Sequence, residues 1–286
     1  MWKKKRKQST FADVWRRLKK NKVAVVSLFI IIFVILVAIF ADVLAPYPYD
    51  LQDYSASYAK PGREHLLGAD KLGRDTLSRL IYGARQSLQL GFIAIAISTV
   101  IGIIIGSIAG YYGGKVDILI MRFLDIYQSI PMLLLCIVLA AMMGPSLKNA
   151  ILAIGIAMVP LPARMLRASI LTVREQEYIE AAKAINENNR SIIIKHIIPN
   201  AIAPLIVSTT MSIGMNILAG ASLSFIGLGV QPPVPEWGSL ISEARNVMRD
   251  HWELALYPGL CIMITVLAFN LLGDGLRDAL DPRLKN

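Results

Sequence analysis

The sequence predicts an all-α polytopic membrane protein with six transmembrane helices, and three observations carry that expectation. The chain of 286 residues is 55% hydrophobic and only 17% charged, against the roughly 25% charged residues of an average soluble domain. Its apolar residues gather into six runs, each near the ~20 residues that a helix needs to cross a hydrocarbon core of about 30 Å. Lys and Arg gather between the runs, and unevenly.

The first run covers about 23–45 and is uncharged from Val23 to Ala41. A basic block precedes it, as in a secretory leader. However, the run is longer than a typical leader core, and "AIFADVLAPY" offers no small-x-small cleavage site, so it reads as an uncleaved first span. Ten of the thirty Lys and Arg lie in the block itself, residues 1–22, "MWKKKRKQSTFADVWRRLKKNK". Basic residues abutting an apolar run suit a lipid bilayer with anionic headgroups. No aromatic-interleaved basic stripe favours nucleic acid.

The segment 46–86 separates the first two spans. Leu77, Leu80 and Ile81 recur there at helical spacing beside Arg74, Arg79 and Arg85, which reads as an amphipathic helix lying at the membrane interface. The second span, about 87–111, places Ala94, Ser98, Gly102, Gly106 and Gly110 four residues apart. Small residues at that period line one helix face and admit a close neighbour, so these five are expected to pack helices together.

The third span is about 126–143 and the fourth about 149–170. Pro160 and Pro162 interrupt the fourth; a kink satisfied by neighbouring helices and a broken helix beside a translocation path both fit. Arg164 and Arg167 are expected to snorkel to headgroups. The fifth span, about 201–228, leads into "GLGVQPPVPEWG", where Trp237 has the ring favoured at membrane interfaces. Leu240, Ile241, Ala244, Val247 and Met248 then share a helical face opposite Glu243, Arg245 and Asp250. A short interfacial helix and a docking face for an external protein both fit. The sixth span, about 254–273, closes a core of five spans over 87–273, and 274–286 form a tail.

Six spans place both termini on one side. With the termini in the cytoplasm, twenty-one Lys and Arg fall inside and nine outside, so the positive-inside rule predicts a cytoplasmic N-terminus, C-terminus and 174–200 loop. Enzyme chemistry finds no support. No phosphate-binding loop, nucleophile elbow, zinc-binding H-E-x-x-H or dinucleotide fingerprint occurs, and neither catalytic residues nor a metal site are expected. His65, His196 and His251 are scattered, while Cys136 and Cys261 sit in apolar runs as small hydrophobes. The spans lack mid-membrane charges, which weighs against ion-coupled transport.

The loop contains "EAAKAINENNRSIIIKHIIPN", Glu180 to Asn200. Glu175, Glu177 and Glu180 followed by Lys183 make good helix-forming chemistry. Asn186 is suited to the left-handed residue that ends such a helix, and Asn188 or Asn189 to capping a second one, "RSIIIKHII". Pro199 marks the entry to the fifth span. A helix–turn–helix on the cytoplasmic face is the expected product.

Glu180-Ala181-Ala182, a turn residue four positions after Ala182, and Ile197-Ile198-Pro199 resemble the EAA loop of ABC importer permeases. The sequence departs from that family at Asn186, where glycine is usual, and at Ile198, commonly leucine. "LGADKLGRDTLSRLIYGARQSL", "GYYGGKVDILIMRFLDI", "HIIPNAIAPLIV", "LSFIGLGVQPPVPEWG" and "LAFNLLGDGLRDALDPRLK" are similar to the second permease of dipeptide, oligopeptide and nickel importers. The resemblance implies the ABC importer type I permease architecture in a bacterial or archaeal cytoplasmic membrane. It also implies a homologous second permease, two cytoplasmic ABC ATPases and an extracytoplasmic substrate-binding protein. No cofactor is expected in this chain, because ATP and Mg would be bound by the partner ATPases. Glu180, Ala181, Ala182, Lys183, Ala184 and Asn186 would form the ATPase-coupling element, with Pro199 and Asn200 joining it to the fifth span. Dipeptides or oligopeptides are the expected cargo, with nickel chelates or oligosaccharides as alternatives. A secondary transporter and a non-transporting assembly protein are the rival classes.

Overall fold

The structure, a computed structural model, describes residues 10–280. The basic residues Lys3 to Lys7 and the end of the tail, with Arg283 and Lys285, lie outside the described residues. The described residues form an all-helical fold. In order it comprises α1 (Thr10–Leu18), α2 (Lys22–Ile39), α3 (Ala41–Leu44), α4 (Thr76–Tyr112), α5 (Gly114–Gln128), α6 (Met132–Met143) and α7 (Leu147–Ala157). There follow α8 (Pro160–Val173), α9 (Glu177–Ala184), α10 (Asn189–Ser191), a π-helical turn over Ile192–Ile197, α11 (Ile198–Ala201), α12 (Ala203–Phe225), α13 (Trp237–Ala244) and α14 (Glu253–Leu280).

Among the described residues, five helical stretches are long and apolar enough to cross a membrane: α2, α4, α7 with α8, α12 and α14. A sixth crossing exists only if α5 and α6 count as one span, and these two are bent by 82° at residues 129–131. The third span expected over 126–143 is therefore not one straight helix. Pro131 disfavours helical backbone in the residue before it, and α6 alone, at 1.5 Å per residue, reaches only about 18 Å of the ~30 Å hydrocarbon core.

Among the described residues, three apolar clusters hold the bundle. One joins α1, α2, α4, α12, α13 and α14 through residues such as Ile31, Leu88, Ile217, Trp237 and Phe269. A second joins α4, α6, α7 and α12 around Leu90, Cys136, Ile154 and Leu223. A third, Leu166, Ile170, Ile179, Ala182, Ile192, Ile197, Ala201 and Leu205, seats α9 against α8 and α12.

The small-residue face of α4 meets α7 and α8. A Cβ at Gly102 would lie 2.6 Å from Pro162 Cγ, one at Gly106 would overlap the Ala163 carbonyl oxygen, and one at Gly110 would lie 2.8 Å from Ile170 Cγ2. Ala94 and Ser98 are fully buried on the same face, and Gly155 of α7 lies against the Ala94 carbonyl. Contact order along both partners rises together, so α4 and α7–α8 run parallel with their backbones nearly touching. Pro160 and Pro162 stand in the first turn of α8, where missing N–H donors cost least, and Pro162 fills the space that Gly102 leaves.

Two expectations are corrected by this geometry. The segment around Leu77 to Arg85 is no separate interfacial helix: it is the start of α4, whose 37 residues extend about 55 Å. Arg79 in it, and Arg74 just before it, turn inward because acidic partners wait there, whereas Arg85 reaches Asp42 and the Ala38 carbonyl near the surface. Arg79 is 2% exposed, lies 2.6 Å from Asp70 Oδ2 and 2.8 Å from Glu243 Oε2, and Arg74 reaches the same two carboxylates. Burial pushes the Glu243 carboxyl upward, but Arg79 and Arg74 more than offset it and hold the group below the usual carboxylate range. Trp237 is likewise buried, not interfacial: its indole donates to the Leu80 carbonyl at 3.1 Å and packs on Gly83. Arg164 and Arg167, expected to reach headgroups, are also ion-paired within the chain. Arg164 donates to Asp125 Oδ1 at 2.6 Å, and Arg167 grips both oxygens of Asp117, tying α8 to α5.

Candidate functional site

At the end of the bundle where α4 finishes, α9 stands out from the apolar body. Its sequence explains its posture. Ile179 and Ala182 are three residues apart, so both fall on one face, and both are buried in the third cluster. Glu180, Ala181, Lys183 and Ala184 occupy the remaining faces and are exposed. Ile185, which closes the helix, is 78% exposed although apolar.

Asn186 terminates the helix with φ of 58°, a left-handed conformation that asparagine tolerates better than other non-glycine residues. Two backbone bonds complete the turn: Asn186 N–H to the Lys183 carbonyl at 2.9 Å and Glu187 N–H to the Ala182 carbonyl at 3.1 Å. This pair of bonds is the Schellman arrangement. Beyond the turn, Asn188 accepts from the Arg190 N–H at 3.0 Å and starts the next helix.

Polar bonds hold the turn to the bundle. The Tyr111 hydroxyl, at the end of α4, donates to Asn189 Oδ1 at 2.6 Å, and Lys183 Nζ lies 5.9 Å from the Tyr111 ring centre. Glu187 accepts from Ser191 at 2.6 Å and sits 3.0 Å from His196 Nε2. The Ser191 hydrogen bond, with the neighbouring His196, draws the Glu187 carboxyl below its ordinary range. Arg174, between α8 and α9, donates to the Gly110 carbonyl at 2.9 Å. The turn is thus a braced projection whose outer surface is Glu180, Ala181, Ala184 and Ile185.

The residues singled out in the sequence do not form one patch. Glu180, Ala181, Lys183, Ala184 and Asn186 share the projection, and Ala182 lies beneath it. Pro199 and Asn200 are exposed elsewhere. Asn200 donates to the His196 carbonyl at 2.6 Å and lines a groove with Met165 of α8, Met211 of α12 and Arg277 of α14. Ala94, Ser98, Gly102, Gly106 and Gly110 lie inside the bundle. Sequence reasoning passed over Ile179, Ile185 and Tyr111. The i, i+3 pairing of Ile179 with Ala182 was the available signal for the anchor, whereas the Tyr111–Asn189 bond joins residues too distant in sequence to suggest each other. Among the described residues no cluster of His, Cys, Asp and Glu could hold a metal ion.

Residues 102–286 match the family described as binding-protein-dependent transport system inner membrane component. Residues 9–61 match the N-terminal TM domain of oligopeptide transport permease C. The dipeptide transport system permease protein DppC of Alkalihalophilus pseudofirmus is 46% identical over 278 residues, 97% of this chain and 91% of that protein. The glutathione transport system permease protein GsiD of Pectobacterium atrosepticum is 41% identical over 280 residues, 98% of this chain and 93% of that protein. The fold is shared with the inward-facing MetNI methionine ABC transporter, with a TM-score of 0.58 at 19% identity over 71% of this chain and 97% of that chain.

Proposed function

Because this chain belongs to the family of inner membrane components of binding-protein-dependent transport systems, we propose that it is the C-type permease subunit of an ATP-driven importer of dipeptides or oligopeptides. Close similarity to permeases named for dipeptide and for glutathione, itself a small peptide, supports that cargo over nickel chelates or oligosaccharides. A subunit of this kind is a transport component and not an enzyme. It works in a multi-pass membrane assembly with a homologous second permease, two ATPases that bind ATP and Mg, and an external substrate-binding protein. The charge bias supports cytoplasmic termini in a bacterial or archaeal cytoplasmic membrane.

The observation that carries the mechanism is the braced projection of α9. An exposed Ile185 next to Glu180, Ala181 and Ala184 offers a slim, partly apolar docking surface, while Ile179 and Ala182 root the same helix against Leu166 and Ile170 of α8. A partner that seats on the outer face and moves pushes α8, and α8 lies against α4 along Gly102 to Gly110. ATP-driven motion in an ATPase thereby reaches the spans without any nucleotide chemistry in this chain.

The turn tests this reading. Asn186→Gly keeps the left-handed conformation, and the reconstituted importer is expected to retain transport-coupled ATPase activity. Asn186→Ile places a β-branched residue where left-handed backbone costs about 1–2 kcal/mol, so coupled activity is expected to fall roughly tenfold. Equal activity of the two variants in proteoliposomes would remove the turn from the coupling element.

A further inference from the structure

The opposite flank of the first span carries a groove that the transport reading does not use. It lies between α1 and α2 and is lined by Trp15, Leu18 and Lys19 on one side and by Val25, Leu28, Phe29 and Ile32 on the other. The four α2 residues fall at i, i+3, i+4 and i+7, a single stripe. A different face of α2 enters the bundle: Ala24, Ser27, Ile31 and Ala38 are buried, and Ala24 lies against Gly275 of α14. Phe29 is 69% exposed and Ile32 43% exposed.

The groove has the length and the charge of a lipid site. From Lys22 to Ile32 the helix rises about 15 Å, the depth of one leaflet of hydrocarbon. Lys19 stands at its mouth with Nζ 5.1 Å from the centre of the Trp15 ring, and Lys20 and Lys22 follow in sequence. No acidic residue occurs from Val14 to Ala41. Every other lining side chain is apolar or aromatic, so the groove admits a hydrocarbon chain and the mouth selects an anion.

We propose that this groove binds an anionic phospholipid, one acyl chain lying along Val25, Leu28, Phe29 and Ile32 and the phosphate facing Lys19 beside Trp15. The site goes beyond the import reaction. It lets the lipid bridge α1 to α2, and because Leu18 of α1 and Ala24 of α2 both pack at Gly275, occupancy holds α1 on α14.

Tryptophan quenching in the assembled importer tests this. The complex is placed in vesicles in which phosphatidylglycerol or phosphatidylcholine carries a brominated acyl chain, and the Trp15 signal is taken as the difference between wild type and Trp15→Phe. Brominated phosphatidylglycerol is expected to quench that signal at about fivefold lower mole fraction than brominated phosphatidylcholine, the advantage of one basic residue near an anionic lipid. Lys19→Glu is expected to abolish the advantage, and Lys60→Glu, in the loop before α4, to leave it intact. Equal quenching by the two lipids, or a preference that survives Lys19→Glu, overturns the proposal. A Trp15 signal that neither lipid reaches in the complex also overturns it, since another subunit then occupies the groove.

Discussion

Gly106→Val is expected to destabilise the assembled importer by about 3 kcal/mol, the upper end of the range for overpacking a tight core. The neighbour at Gly106 is the backbone of Ala163, its carbonyl oxygen closest. A flexible side chain could rotate away, but a helix backbone cannot, so α4 and α8 must separate along their whole contact. That separation also loosens Gly102 from Pro162 and Gly110 from Ile170, contacts on the route proposed from α9 to the spans. The purified complex should therefore melt at a lower temperature and lose uptake together. Gly259→Ala is the control: nothing lies within 4 Å of a Cβ there, and alanine is the better helix former. A Gly106→Val complex that melts with the wild type would show that the backbones are not in contact.

Ile185→Asp should produce the opposite pattern, with stability kept and transport lost. Ile185 is 78% exposed and belongs to none of the three apolar clusters of the chain, so folding gains little from it. Burying an isoleucine against a partner contributes about 1.5–3 kcal/mol, and an aspartate at that interface forfeits the gain and adds a desolvation cost. Uptake into proteoliposomes is expected to fall at least tenfold while the melting temperature stays unchanged. Retained uptake would mean that Ile185 faces water throughout the transport cycle.

How much of this was legible in the sequence follows from the range of each interaction. The α9 turn was legible because its determinants are local: helix-forming acidic residues, then an asparagine that accepts left-handed backbone. The α4 stripe was legible for the same reason, since a four-residue period specifies a close neighbour, although only the fold identifies α8 as that neighbour. Arg79 was misread because its partner Glu243 stands 164 residues away; beside Leu77 and Leu80 it looks like the polar face of an interfacial helix. Trp237 was misread in the same way, its partners Gly83 and Leu80 lying on α4. The α5–α6 bend was hidden because apolar composition continues across it while Pro131 changes the backbone direction. Local chemistry thus wrote the α9 turn, and distant ion pairs wrote the opposite end.

The α9 projection is proposed to be the seat of an ATPase, and that contact can be measured directly. A photo-cross-linking residue placed at position 185 in the assembled importer is predicted to form an adduct with the ATPase subunit. The same probe at position 66, where Leu66 is exposed at the other end of the bundle, is predicted to form none. An active complex with no ATPase adduct from position 185, or with one from position 66, would contradict the account.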